Sequence, residues 1–119
     1  MIRLLILCLG LCLALLSGVA PAAEPTPPEG ADEAGFAAWL AEQRNDVAQQ
    51  RSAANSAYDA QELVCWRRFA VNDCLRAARV QRRQQLDAAR EQDLHLNDLE
   101  RGRRADQRLR AIADKEKDS

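Results

Sequence analysis

Two cysteines set the chemistry this chain can offer. Cys65 and Cys74 lie nine positions apart and bracket a stretch dense in apolar and aromatic side chains, Trp66-Arg67-Arg68-Phe69-Ala70-Val71-Asn72. Such a pair can close a disulfide, hold a soft metal such as Cu(I) as thiolates, or keep one sulfur acidified and reactive. Backbone shape decides among these uses. Along one continuous helix, nine residues rise ~13.5 Å and bring the second side chain out about half a turn away. A disulfide needs Cα atoms about 4.4 to 6.8 Å apart, so an intramolecular bridge demands that the chain reverse between the cysteines. Asn72 is a good helix N-cap and Asp73 a good first-turn residue, and together they supply the restart that a reversal requires. The favoured reading is a structural staple, with Cys65 ending one helix and Cys74 in the first turn of the next. Two other uses stay open. With no Gly or Pro between Trp66 and Asp73, the region can remain helical and cross-link separate chains. Alternatively the pair serves thiol-redox or soft-metal (copper) handling through Cys65 and Cys74, although no CxxC, CxxCH or methionine cluster accompanies them.

The remaining chemistry-bearing residues point to a solvated helical surface. His95 is the single histidine, set in a charged stretch with no second ligand in phase, so no metal or other cofactor is expected. Asp87, Glu91, Asp98 and Glu100 could form catalytic carboxylate pairs. Arginines stand three or four positions from most acids here, pairing Arg83 with Asp87, Asp87 with Arg90, Glu100 with Arg104 and Asp106 with Arg110. That spacing belongs to an ion-paired helix face rather than to an enzyme. Arg76, Arg79, Arg82, Arg83 and Arg90 form a broad basic face. Its expected use is pairing with an acidic neighbouring helix, with a membrane surface contact through Arg76, Arg79, Arg83 and Arg90 as the alternative. Nucleic acid is not an expected partner of an exported chain.

Export is inferred from the first residues. Arg3 precedes an apolar run from Leu4 to Leu16, and Ala20-Pro21-Ala22 follows, in the order of a secretory signal with an A-x-A cleavage site. The cut is expected after Ala22. An uncleaved anchor is the rival, but Leu4–Ala20 is only 17 residues, the lower bound for a spanning helix. Residues 1–22 are thus read as a signal peptide and residues 23–31, with three of the four prolines, as a flexible or polyproline linker. Residues 32–113 form the helical domain, with helices over about 32–64 and 73–112, and residues 114–119 a disordered tail.

In the first of these helices Phe36, Leu40, Val47, Ala54, Ala57 and Val64 fall on a seven-residue frame with Gln43, Gln50 and Gln61 between them, giving a thin, partly polar seam. The second carries Leu75, Ala78, Leu86, Ala89, Leu96 and Leu99 and a weak spot at Gly102. Charge divides along the same line. Glu24 to Glu62 holds eight acids and two arginines, whereas Arg67 to Arg110 holds twelve arginines and seven acids. Folded back antiparallel, the two helices would attract each other. The fold expected is all-α, a two-helix antiparallel hairpin or coiled coil.

The motif Cys65-Trp-Arg-Arg-Phe-Ala-Val-Asn-Asp-Cys74-Leu, followed by arginine-rich helix and Leu96-Asn-Asp-Leu-Glu-Arg101, resembles a group of uncharacterised small exported proteins of Gram-negative bacteria. The resemblance spans about residues 60–110. It implies a helical, coiled-coil-like periplasmic protein with both cysteines in use and brings no activity with it. The expected function is contact in the cell envelope, with an envelope protein or with a second copy, through Trp66, Arg67, Arg68, Phe69 and Val71. Trp66, Phe69 and Val71 are too apolar to be idle in a loop: they either cap the seam or stay exposed for a partner, with Arg67 and Arg68 as the polar rim.

Overall fold

The computed structural model describes residues 23–118. The expected signal peptide lies outside the described residues. Two antiparallel helices, α1 (Glu33–Cys65) and α2 (Val71–Lys117), make a hairpin, and no strand is present among the described residues. Asp32 caps α1, its carboxylate accepting from the Gly35 N–H at 2.8 Å. Glu33 adds negative charge where the helix dipole favours it. The helix ends in a short turn in which Arg67 N–H donates to the Val64 carbonyl and Arg68 N–H to that of Cys65.

The restart differs from expectation by two residues. α2 begins at Val71, and its cap is Ala70, which offers no side-chain acceptor; Asn72 is already inside the helix. The bridge explains this. A Cα–Cβ bond tilts toward the N-terminus of its helix, so Cys74 aims back at Cys65 once a turn of α2 has formed ahead of it. α2 also runs further than expected, to Lys117 rather than Ile112, through residues 114–117 of the supposed disordered tail. No Gly or Pro follows Gly102. Lys115 and Lys117 stand in the last turn, where the dipole favours cations, and Lys117 pairs with Asp114 at 3.7 Å.

The α2 stripe packs inward as read from the sequence. Leu75, Ala78, Ala89 and Leu96 are buried, and Leu86 and Leu99 are half-buried. The α1 stripe departs from its seven-residue frame in its last third. Phe36, Leu40, Val47 and Ala54 are buried, but Ala57 and Val64 are exposed, and Tyr58 and Cys65 point inward in their place. Geometry accounts for the slip. From Phe36 an untwisted helix completes about eight turns by Cys65 and returns it to within roughly 20° of the starting direction, whereas Val64 falls about 80° short.

The core has two parts. Toward the open end Phe36, Leu40, Val47, Ala89 and Leu96 form one cluster, with Trp39 and Leu99 packed against it. Toward the tip only Ala54, Leu75, Ala78 and Cys65 are buried. Side-chain contacts place Gln107 against Glu33, so the last ten or so residues of α2, on the order of 15 Å, project past the start of α1.

Cross-helix charge pairs run against the expected pattern. The two arginines of the acidic α1 pair with acids of the basic α2: Arg44 with Glu100 at 2.5 Å and Arg51 with Asp93 at 3.3 Å. Among the described residues only Glu33–Arg103, at 3.5 Å, follows the expected polarity. Net charge of a segment acts at long range. Contact pairs are chosen by which side chains flank the seam, and each exposed pair contributes about 0 to 1 kcal/mol.

Candidate functional site

The tip of the hairpin is built around the bridge. Cys65 and Cys74 are disulfide-bonded with Cα atoms 5.4 Å apart, and Cys65 is fully buried. Gln61 Nε2 lies 3.9 Å from Cys74 Sγ. Neither sulfur is a thiolate in this state, so neither can bind a soft metal. Among the described residues no group of three or more His, Cys, Asp or Glu side chains is placed to hold a metal ion.

The bridge holds up a surface of large apolar side chains. Trp66 is 63% exposed and Phe69 completely so, and Leu63 and Val64 join them from the last turn of α1. Val71 is half-buried. Of the two fates open to these aromatics, capping the seam or facing solvent, the fold takes the second. The reason is geometric: the turn projects them beyond the last layer of the seam, where no third element stands among the described residues. Sequence reading missed Leu63 and Val64, because the strict frame assigned Val64 to the core and left Leu63 without a role. Arg67 and Arg68 are exposed beside the aromatics, without an ion-pair partner among the described residues.

Further along α2, Arg76, Arg79, Arg83 and Arg90 are exposed and fall within about 60° of one another around the helix. Arg76 lies 3.9 Å from Asp73. Arg82 leaves this face. Its guanidinium stacks 4.3 Å over the Tyr58 ring, beside a small cavity of about 140 Å³ bordered by Ala54 and Ala78. The expected attraction of this basic face to α1 is therefore realised only as one cation–π contact. Of the spaced pairs expected along α2, Glu100–Arg104 forms; Arg83–Asp87, Asp87–Arg90 and Asp106–Arg110 do not. Glu100 accepts from Arg44 as well, and that hydrogen bond, helped by the charges of Arg44 and Arg104, holds its carboxyl below the usual value of 4.5.

His95 is half-buried and its Nε2 lies 3.1 Å from the Pro25 carbonyl oxygen. A carbonyl only accepts, so Nε2 carries the proton. No helix among the described residues is long and apolar enough to cross a membrane. Comparison with protein-family models, with curated proteins and with solved structures returns no match for this chain.

Proposed function

We propose that this chain is a small exported helical protein of the cell envelope that acts by contact, presenting its disulfide-closed tip to a partner protein. The observation that carries the reading is the complete exposure of Phe69 beside the largely exposed Trp66, on a turn made rigid by Cys65–Cys74. Large aromatics exposed together on a fixed scaffold have the character of an interface hot spot. Arg67 and Arg68 give this patch a basic rim, so the complementary surface is an acidic one with an apolar pocket at its centre. Export is supported by the tripartite N-terminus and by the bridge, since disulfides persist in oxidising compartments. A thiol-redox or copper-handling role has less support, because the bridge occupies both sulfurs and burial shields Cys65.

Cross-linking in intact envelopes tests the contact. The expected result is one partner captured by the natural chain and lost with both Trp66→Ala/Phe69→Ala and Arg67→Glu/Arg68→Glu at unchanged helicity. Capture unaffected by either pair of changes rejects the tip. Capture or vesicle binding abolished only by substituting Arg76, Arg79, Arg83 and Arg90 moves the contact to the α2 face. Intact-mass measurement tests export: a mature species beginning at Ala23 is expected, and one retaining Met1 in the inner membrane overturns it. Free-thiol titration is expected to find none.

A further inference from the structure

The proline-rich segment, read from the sequence as a flexible or polyproline spacer, lies along α2. Its chain reverses at a turn in which Ala31 N–H donates to the Pro28 carbonyl at 3.3 Å. Gly30 there takes φ +70°, a conformation glycine adopts without steric cost. Upstream of that turn residues 23–28 belong to no helix or strand and run beside the hairpin, alternately half-buried and exposed from Glu24 to Pro28. His95 holds the Pro25 carbonyl, and Arg103 donates to the Ala31 carbonyl at 2.6 Å. Pro25, Pro27 and Ala31 are half-buried, while Glu24, Thr26 and Pro28 face solvent. A cavity of about 460 Å³ remains beside Pro25, bordered by Gln43, Gln50, Gln92 and His95.

We propose that this groove between α1 and α2 is a binding site for an extended, proline-bearing peptide, and that residues 23–31 are its built-in occupant. Three observations agree. Both hydrogen bonds go to main-chain carbonyls, so they read an extended backbone rather than a particular side chain. Proline has no N–H and a fixed φ, so Pro25, Pro27 and Pro28 hold the segment extended at low entropic cost, as in other recognition of proline-rich chains. The groove wall is amide-rich, with Gln50 Nε2 donating to Gln92 Oε1 at 3.1 Å across the helices. Polar side chains, Gln43, Gln50 and Gln92, thus line the cavity beside Pro25, where a closed apolar seam would offer none.

Among the described residues the hairpin core contains none before Phe36, so deleting residues 23–31 is expected to leave that core intact, which far-UV circular dichroism checks. The His95 imidazole resonances are then compared in the full chain and the deletion variant. The deletion is expected to move them, and the free nonapeptide Ala23–Ala31, added in trans, is expected to return them saturably toward their original positions. A Gly/Ser nonapeptide is expected to do so more weakly. In the full chain, His95→Ala is expected to raise proteolytic cleavage at Glu29–Gly30 by about three- to tenfold. Resonances unmoved by the deletion, or a shift that the peptide does not reverse, overturn the proposal, as does unchanged cleavage in His95→Ala. These measurements do not involve the tip, so they succeed or fail independently of the proposed envelope contact.

Discussion

The two ends of the hairpin are held together by different physics. At the open end, Phe36, Leu40, Val47 and Leu96 bury large side chains, and Arg103 ties Glu33, the Phe36 ring and the Ala31 carbonyl to one point on α2. Toward the tip the buried residues are Ala54, Cys65, Leu75 and Ala78, of which only Leu75 brings a large apolar side chain, and a covalent bond adds to that smaller burial. The open end trades on the hydrophobic effect, which is lost in proportion to the atoms removed. The tip trades on loop closure, which constrains the unfolded chain and frees the tip's own apolar residues to face outward. A patch such as Trp66 and Phe69 is compatible with a stable fold only because the fold does not draw on it.

The largest expected effect tests the open end. Leu96→Ala removes a fully buried side chain from the main cluster, at an expected cost of about 2 to 5 kcal/mol, read from the urea midpoint. A loss below about 1 kcal/mol would mean that the seam collapses around the gap and that the two ends are less different than argued.

Reduction, or Cys65→Ser/Cys74→Ser, comes next, with an expected loss of about 2 to 3 kcal/mol. Melting curves that coincide with and without reductant would show that the bridge contributes nothing. Amide exchange sharpens the point: reduction should release protection near residues 60–80 before it does around Val47 and Leu96.

Trp66→Ala and Phe69→Ala are expected to change stability by no more than about 0.5 kcal/mol, as for surface positions, while abolishing partner capture. A drop in helicity or melting temperature would show that the aromatics support the fold.

The smallest effect concerns Glu100. Its folded carboxyl titrates below the usual value, so the stabilisation from Arg44 is fully present above about pH 4.5 and is lost as pH falls through the lowered value. Arg44→Ala should therefore shift the urea midpoint more at pH 7 than at a pH below the lowered value, where only the Asn97 hydrogen bond at 3.1 Å and the packing of the stem remain to be lost. An equal shift at both would assign the effect to the Asn97 hydrogen bond or to packing of the Arg44 stem.

Much of this fold was legible in local pattern. Asp32 before a run of good helix formers marked the start of α1. The stripe from Leu75 to Leu99 marked the inner face of α2. Cysteine spacing together with bridge geometry implied a reversal that the chain makes between those residues. Each of these follows from the period of a helix or the length of a bond, which a sequence states directly.

What tertiary structure alone decided is whatever depends on how α1 and α2 meet. The inward turn of Tyr58 and Cys65 in place of Ala57 and Val64 follows from the straightness of α1 and the pull of the bridge, and a repeat counted in sevens carries neither. Arg44 and Arg51 found acids on the helix with the opposite net charge, because register, fixed by one disulfide and a few large side chains, determines which charges come within reach. The proline-bearing segment carries no periodicity that announces a binding site. Its place against His95 and Arg103 exists only once two helices have formed a groove, for the donors that hold it lie 70 and 72 residues away along the chain.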